Sequence, residues 1–231
     1  MFEIGPGPGV ASRSLLRAGA DPLCVIEPDP RLARYLDRSL GDARTRTHIV
    51  RSTFEDAVLP EGTFDLGAAA TSFHWVDEYR ALHKIARTLR PGGWWAMWWN
   101  RHGDPDRPTE FQRATMAIWG SRPGRYDRWI RESRRQMRRE VARRLGHLRG
   151  NGRFDRIAFE PIRWHVDLTA REIRGLYGTF GEVGKMTPRR RTRFLDAIER
   201  VARAEFAGVV RLPIVTPIYT ARRVPSDGPR P

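Results

Sequence analysis

Glu3-Ile4-Gly5-Pro6-Gly7-Pro8-Gly9 is the stretch that decides how this 231-residue chain folds. Phe2-Glu3-Ile4 reads as the end of a β-strand, and Gly9 to Ala18 as the helix that follows. Glycine at every second position lets the backbone bend sharply between them and come close to a ligand, with the helix N-terminus aimed at it. Several nucleotide-binding folds use glycines at such a turn, so the spacing has to discriminate. A dinucleotide fingerprint, G-x-G-x-x-G, needs its third glycine at position 10, where this chain has Val10. The pattern here is E-x-G-x-G-x-G instead.

Outward from that turn, short apolar runs alternate with helical patterns, as in a parallel α/β sheet. Leu23 to Glu27 is a second strand, closed by Pro28, and a helix runs from Pro30 to Leu40. His48-Ile49-Val50 belongs to a third strand and Phe64 to Ala70 makes a fourth. A helix from Glu78 to Leu89 stops before Pro91-Gly92-Gly93, and Trp94 to Trp99 is the fifth strand. After Asn100 the pattern changes. A Pro/Gly-rich link, His102 to Pro108, leads into helices, the longer from Tyr126 to Leu148. There Ile130, Met137, Val141, Leu145 and Leu148 recur at helical spacing beneath a very basic face. A strand over Phe159–Val166, helices over Thr169–Phe180 and Pro188–Phe206, and a last strand over Val209–Ala221 complete the reading. The expected organisation is one domain over residues 1–224, with 101–150 as a helical lid and 225–231 as a disordered tail.

In open α/β sheets ligands bind beyond the carboxyl ends of the strands, so the glycine turn and Glu27 should face one crevice. A carboxylate closing the second strand can accept hydrogen bonds from both hydroxyls of a ribose. Ser52 to Asp56 follows the third strand and Ala70 to Trp75 the fourth, so both reach the same edge.

Composition narrows the setting. Hydrophobic content of 40% with 30% charged residues is that of a globular protein. The one cysteine, Cys24, excludes an intramolecular disulfide and fits a reducing, cytoplasmic location. Met1-Phe2 is followed at once by Glu3 and a Gly/Pro run, which is not a secretory pattern. The Trp94–Trp99 run is far too short to span a bilayer, and its tryptophans read as core and sheet-covering residues. No metal-ligand constellation is read from the sequence. The formal net charge is +15, and Lys84 and Lys185 are the only lysines among 42 basic residues. Such a surface favours phosphates, nucleic acid, acidic membranes or anionic small molecules.

Glu3 to Gly9, Glu27-Pro28-Asp29, Ser52 to Asp56, Phe64-Asp65-Leu66, Phe73-His74-Trp75-Val76-Asp77 and Leu89-Arg90-Pro91-Gly92-Gly93 together resemble class I S-adenosylmethionine-dependent methyltransferases. The Phe-His-Trp element is similar to the trans-aconitate methyltransferase-like branch and its bacterial relatives. The resemblance is strong over residues 1 to 100, weaker from Gly152 to Arg223, and poor between. It implies a Rossmann-like seven-stranded sheet, six strands parallel and the last antiparallel, with helices on both faces and a helical insertion after strand five. It also implies S-adenosylmethionine as cofactor. Gly5, Gly7 and Gly9 would hold its methionyl part, Glu3 would orient its amino group and Glu27 would take the ribose. Thr53 and Phe54 would border the adenine, and Thr71 and Phe73 would line the same site. Two departures stand out. Pro8 replaces a small hydroxyl residue, removing a side-chain donor and a backbone N–H, and Ser52 stands where many members have an acidic residue. Relatives also carry a helical segment before the first strand, which here has three residues against about 5–6 in typical strands. The expectation is a chain that begins too late, through a misplaced start or a truncated gene.

His74 sits just beyond the fourth strand, near where the transferable methyl would lie. Methyl transfer gains much of its rate from holding the nucleophile in line, and a base is needed only if that nucleophile carries a proton. His74 is therefore read either as a general base or as a packing and positioning residue. Phe73 and Trp75 are read either as π-faces for the sulfonium or as core. The expected acceptor is a small molecule, and arginines of the 101–150 helices turned inward would recognise an anionic one. Two rivals stay open. One is an RNA or other nucleic-acid methyltransferase, favoured by the charge but without an Asn/Asp-Pro-Pro-Tyr element. The other is a non-catalytic cofactor-binding protein of the same fold.

Overall fold

Residues 1–119 and 125–225 are described by the computed structural model, and they divide into two units. One unit comprises Met1–Trp99, Val141–Pro161 and the chain from Pro217 onward; the other comprises Asn100–Glu140 and Ile162–Thr216. The 101–150 span therefore does not group by itself: its last ten residues join the first unit. Beyond Pro225 the expected disordered tail lies outside the described residues.

The first unit opens with β1 (Phe2–Ile4), α1 (Val10–Arg17), β2 (Leu23–Ile26), α2 (Pro30–Ser39) and β3 (Thr47–Val50). It continues with β4 (Phe64–Ala70), α3 (Glu78–Thr88) and β5 (Leu89–Trp98). These five strands pair in the order β3-β2-β1-β4-β5, all parallel. β8 (Val209–Arg223) runs antiparallel to β5, from Trp94↔Arg222 to Trp98↔Ile218, and β7 (Phe154–Thr169) pairs with β8. Strand order reverses between β1 and β4, which opens a crevice beyond their carboxyl ends.

Helices cover both faces of this sheet because successive strand residues point to opposite sides. Along β2, Leu23 and Val25 pack with Leu16 of α1 and Leu36 of α2. Cys24 and Ile26 belong to the opposite cluster, with Leu82 and Ile85 of α3. Asp29 and Asp77 start α2 and α3 by accepting hydrogen bonds from the amides of Arg31 (2.7 Å) and Arg80 (3.1 Å). A Cβ at position 67 would collide with the Phe2 ring, so only glycine lets β4 lie beside β1.

Most boundaries fall within a residue or two of the sequence reading; four features differ. β5 begins at Leu89, not Trp94: pairing shifts register between Phe64↔Leu89 and Leu66↔Trp94, so Pro91-Gly92-Gly93 is an irregularity within the strand. β7 runs to 16 residues where a shorter strand was expected. A two-residue strand, β6 (Arg101–His102), makes eight strands among the described residues where seven were expected, and a 3-10 turn spans Gly41–Arg46.

The long helix α5 (Arg125–Gly150) contributes its C-terminal part to the first unit, with Leu148 fully buried and Val141 and Leu145 against the same core. Arg144, 4% exposed, lies 4.4 Å above the Trp99 ring, its guanidinium 3.1 Å from Glu78 Oε2. Arg143 donates to that oxygen at 2.7 Å. A buried guanidinium is tolerable only with such partners.

The second unit holds β6, α4 (Glu110–Thr115), the N-terminal part of α5, α6 (Ala170–Gly178), α7 (Gly181–Gly184) and α8 (Pro188–Glu205). Its core is built from Phe111, Ile173, Tyr177, Val183, Leu195 and Ile198. Capping boxes at Thr109/Gln112 and Thr169/Glu172 begin α4 and α6. Among the described residues no helix is long and apolar enough to cross a membrane.

Candidate cofactor-binding site

Gly5, Gly7 and Gly9 all lie in the left-handed region, at φ 61°, 55° and 80°. Side-chain residues reach it only at a cost. The Gly5 amide continues the β2 ladder by donating to the Ile26 carbonyl at 2.9 Å, and the Gly9 amide donates to the Pro6 carbonyl at 2.9 Å. The three glycines serve different ends. A Cβ on Gly5 would stand 2.6 Å from Cβ of Ser72, and one on Gly9 would run into Leu36. A Cβ on Gly7 would meet nothing within 4 Å. Packing requires the outer two, while Gly7 opens on free space.

Glu27, just past β2, is buried and clasps this turn. Its Oε2 accepts from the Gly7 amide at 3.0 Å, and its Oε1 accepts from the Asp29 amide at 2.9 Å. Each carboxylate oxygen keeps a second lone pair, so the group is fixed in place and still able to accept from a ligand hydroxyl. Glu3, on β1, is 1% exposed; its Oε2 accepts from Ser12 Oγ at 2.5 Å, while Oε1 is buried with no partner. Burial pushes the Glu3 carboxyl up to about 7, against the opposing pull of the Ser12 hydroxyl. An orphaned, desolvated acceptor of this kind suits a cationic donor. A nucleoside bearing an ammonium group therefore fits the residues present: an open cradle at Gly7, an acceptor pair at Glu27 and an orphaned carboxyl oxygen at Glu3.

The remaining expected residues divide. Thr53 is exposed, and its Oγ1 donates to Asp56 Oδ2 at 2.7 Å while accepting from the Asp56 amide at 3.2 Å, so it shapes the turn after β3. Phe54 turns into the core, stacked 6.3 Å from Phe2, and Phe73 does likewise, 5.1 Å from Trp95. Contacts from these two to a ligand would come through their backbone. Thr71, at the end of β4, holds φ 61°, a strained conformation for a β-branched residue, with its amide donating to the Trp98 carbonyl at 2.8 Å. His74 and Trp75 lie in the 3-10 turn Phe73–Trp75, their rings 4.9 Å apart, both exposed and Trp75 to 82%. Glu3, Gly5, Gly7, Glu27 and Thr71 thus gather at the carboxyl ends of β1, β2 and β4.

Three supporting residues escaped the sequence reading. Ser12 holds Glu3, and Ser72 Oγ donates to the Ile4 carbonyl beside Gly5. Lys84 donates from Nζ to the carbonyls of Phe54 (2.6 Å), Glu55 (2.9 Å) and Ala57 (2.6 Å), and its ammonium sits 5.1 Å from the Phe54 ring centroid. Its rarity was a signal: one of only two lysines in a chain that otherwise uses arginine.

Residues 2–97 match the family model described as a methyltransferase domain. An uncharacterized methyltransferase of Mycobacterium tuberculosis is 32% identical over 100 residues, 43% of this chain and 39% of that protein. This chain thus spans about two fifths of the length of the curated relatives it matches. A solved structure described as a candidate type II methyltransferase from Anaeromyxobacter dehalogenans superposes with a TM-score of 0.63 at 20% identity, over 97% of this chain and 89% of that one. Geranyl diphosphate C-methyltransferase from Streptomyces coelicolor A3(2), solved with S-adenosyl-L-homocysteine, gives a TM-score of 0.51 at 15% identity, over 96% and 70% of the two chains. The fold is the Rossmann-like methyltransferase fold.

Proposed function

We propose that this chain is an S-adenosylmethionine-dependent methyltransferase acting on a small-molecule acceptor. The observation that carries the reading is the Glu27 clasp on the glycine turn, open at Gly7 and flanked by the orphaned oxygen of Glu3. The methyltransferase-domain match over residues 2–97 supports it. When bound, S-adenosylmethionine supplies an electrophilic methyl group on a sulfonium. On this reading Glu3 accepts from the amino group, Glu27 accepts from the ribose hydroxyls, and the backbone at Gly7 and Thr71 shapes the space between. Thr53 and the backbone of Phe54 border the adenine, and Phe73 supports the site from the core. His74, exposed at that edge, positions the acceptor and takes a proton from it when it carries one.

The acceptor follows less directly from the charge. Among the described arginines of this region, Arg101, Arg134, Arg143 and Arg144 are held by Glu140, Asp106 and Glu78, and Arg113 and Arg135 lie beside Glu110 and Glu132. An anionic acceptor would have to draw on other arginines.

Calorimetry with S-adenosylhomocysteine tests the cofactor. It should bind and NAD should not, and Glu27→Ala should weaken binding by about 1–3 kcal/mol, the cost of unpaired buried polar groups. Unchanged affinity in that variant would remove Glu27 from the site. Transfer from radiolabelled cofactor to a panel of small acids, phenols and RNA tests the reaction. There, His74→Ala should lower turnover by about 10²–10⁴ with cofactor affinity preserved if His74 is the base. Equal turnover would leave it a positioning residue at most.

A further inference from the structure

The second unit contains a pocket of about 400 Å³, within the usual range for small-molecule sites. Five rings line it: His102, Trp119, Trp129, Tyr177 and Phe180. Four of them form a continuous wall, with centroids 6.0 Å apart for His102 and Phe180, 5.0 Å for Phe180 and Tyr177, and 6.3 Å for Tyr177 and Trp119. No arginine or lysine is among its described lining residues, in a chain of net charge +15. The one carboxylate is Glu182, in α7, which is exposed and makes no hydrogen bond or ion pair among the described residues. Burial lowers the pKa of His102 from the ordinary imidazole value, so that ring is neutral at physiological pH. Glu182 is then the only formal charge among the pocket's described lining residues.

We propose that this pocket binds a small organic cation, an amine or quaternary ammonium carried on an apolar body. Ring faces attract such a cation, and an unpaired carboxylate beside them completes the charge complement. A carboxylate or phosphate ligand would find no guanidinium among the described lining residues and would lie beside Glu182. The positive charge elsewhere on the chain opposes a cation, but ions at physiological strength screen that field beyond about 8 Å, so the pocket's own lining decides. The reading reverses what the basic composition suggests about ligands, and it stands whether or not the chain transfers methyl groups.

Calorimetry on the whole chain with three probes of matched size tests it: 2-phenylethylammonium, 2-phenylethanol and 3-phenylpropionate, each with and without saturating S-adenosylhomocysteine. The cation should bind at least about tenfold tighter than the carboxylate, with the alcohol between, whether or not S-adenosylhomocysteine is present. Glu182→Gln, at an exposed position, should cut the cation's advantage by about fivefold and leave the alcohol unchanged. Trp129→Ala, at a ring 44% exposed, should weaken all three probes. Binding of the carboxylate as tightly as the cation would overturn the proposal. So would cation affinity untouched by both variants, or no binding of any probe. Failure of S-adenosylhomocysteine to bind would count against the proposed function alone.

Discussion

In the first unit Glu27 is held by amides two and twenty residues away, and the turn it clasps is written in seven consecutive residues. In the second unit the ring wall of the pocket draws on His102, Trp119, Tyr177 and Phe180, from separate stretches brought together by α4, α6 and the loop before α7. The difference lies in what fixes each site. Left-handed glycines and strand-end carboxylates are constrained by local backbone geometry, so residue type reports position. Ring contacts are constrained only by tertiary packing, and an aromatic residue looks the same in sequence whether it fills a core or lines a cavity. Trp119 does both, packing 4.5 Å from Phe194 in the core while lining the pocket.

The largest expected effect separates the glycines of the first region. Gly5→Ala combines a left-handed alanine with a Cβ 2.6 Å from Ser72 Cβ, which no side-chain rotation relieves. It should destabilise by about 2–5 kcal/mol, the left-handed penalty plus overpacking. Gly7→Ala has only the first of these costs, about 1–2 kcal/mol. Its methyl occupies the free space, so cofactor affinity should fall by more than tenfold while the fold survives. Urea unfolding and S-adenosylhomocysteine calorimetry on both variants measure this; equal stability loss in the two would erase the distinction drawn between them.

Glu3 gives the next effect. Its folded pKa of about 7 lies above the ordinary carboxyl value of 4.5 because burial penalises the charged form. Below the unfolded pKa both states are protonated and there is no penalty. As pH rises from 4.5 through 7 the unfolded chain loses its proton first, so stability falls across that window, by on the order of 3 kcal/mol. Glu3→Gln should flatten the slope in urea titrations between pH 5 and 8. Binding of an ammonium-bearing cofactor should strengthen over the same interval in the parent, since it needs the ionised form. A pH-independent affinity would detach Glu3 from the amino group.

How much of each region could be read beforehand follows from the same contrast. Glu3, Gly5, Gly7, Gly9 and Glu27 were legible because strand, turn and helix follow one another in an order that fixes which end of the sheet they occupy. Phe54 and Phe73 were placed in the right loops, but which way their rings turn depended on Phe2 and Trp95, which pairing brings alongside. The start of β5 was missed because Pro91-Gly92 looks like a break, whereas the pairing with β4 absorbs it as a register shift. Lys84 was missed because its partners are carbonyls, which carry no residue identity at all. Lys84→Met should leave the carbonyls of Phe54, Glu55 and Ala57 without their shared donor. The site is partly open to water, so about 1–2 kcal/mol is expected, less than for a buried charged hydrogen bond. Cofactor affinity should fall with it, because the loop after β3 loosens. Loss of stability with affinity intact would make Lys84 a brace of the fold and nothing more.

The smallest effect belongs to the second unit and tests whether its distant partners matter one by one. Trp164 Nε1 donates to Thr216 Oγ1 at 3.0 Å, and that hydroxyl donates to Asn100 Oδ1 at 2.7 Å, linking residues 52 and 116 positions apart. Thr216→Val keeps the shape and removes both bonds. Thr216 is 8% exposed, but Trp164 is 42% exposed and Asn100 is exposed too, so water replaces what each loses. The expected cost is about 0.5–1 kcal/mol, the net value of a hydrogen bond whose partners stay hydrated. Asn100→Ala in the same background should then add almost nothing, since the pair is already uncoupled. A cost above 2 kcal/mol, or full additivity of the two changes, would show that long-range polar links hold the second unit as firmly as the Glu27 clasp holds the first.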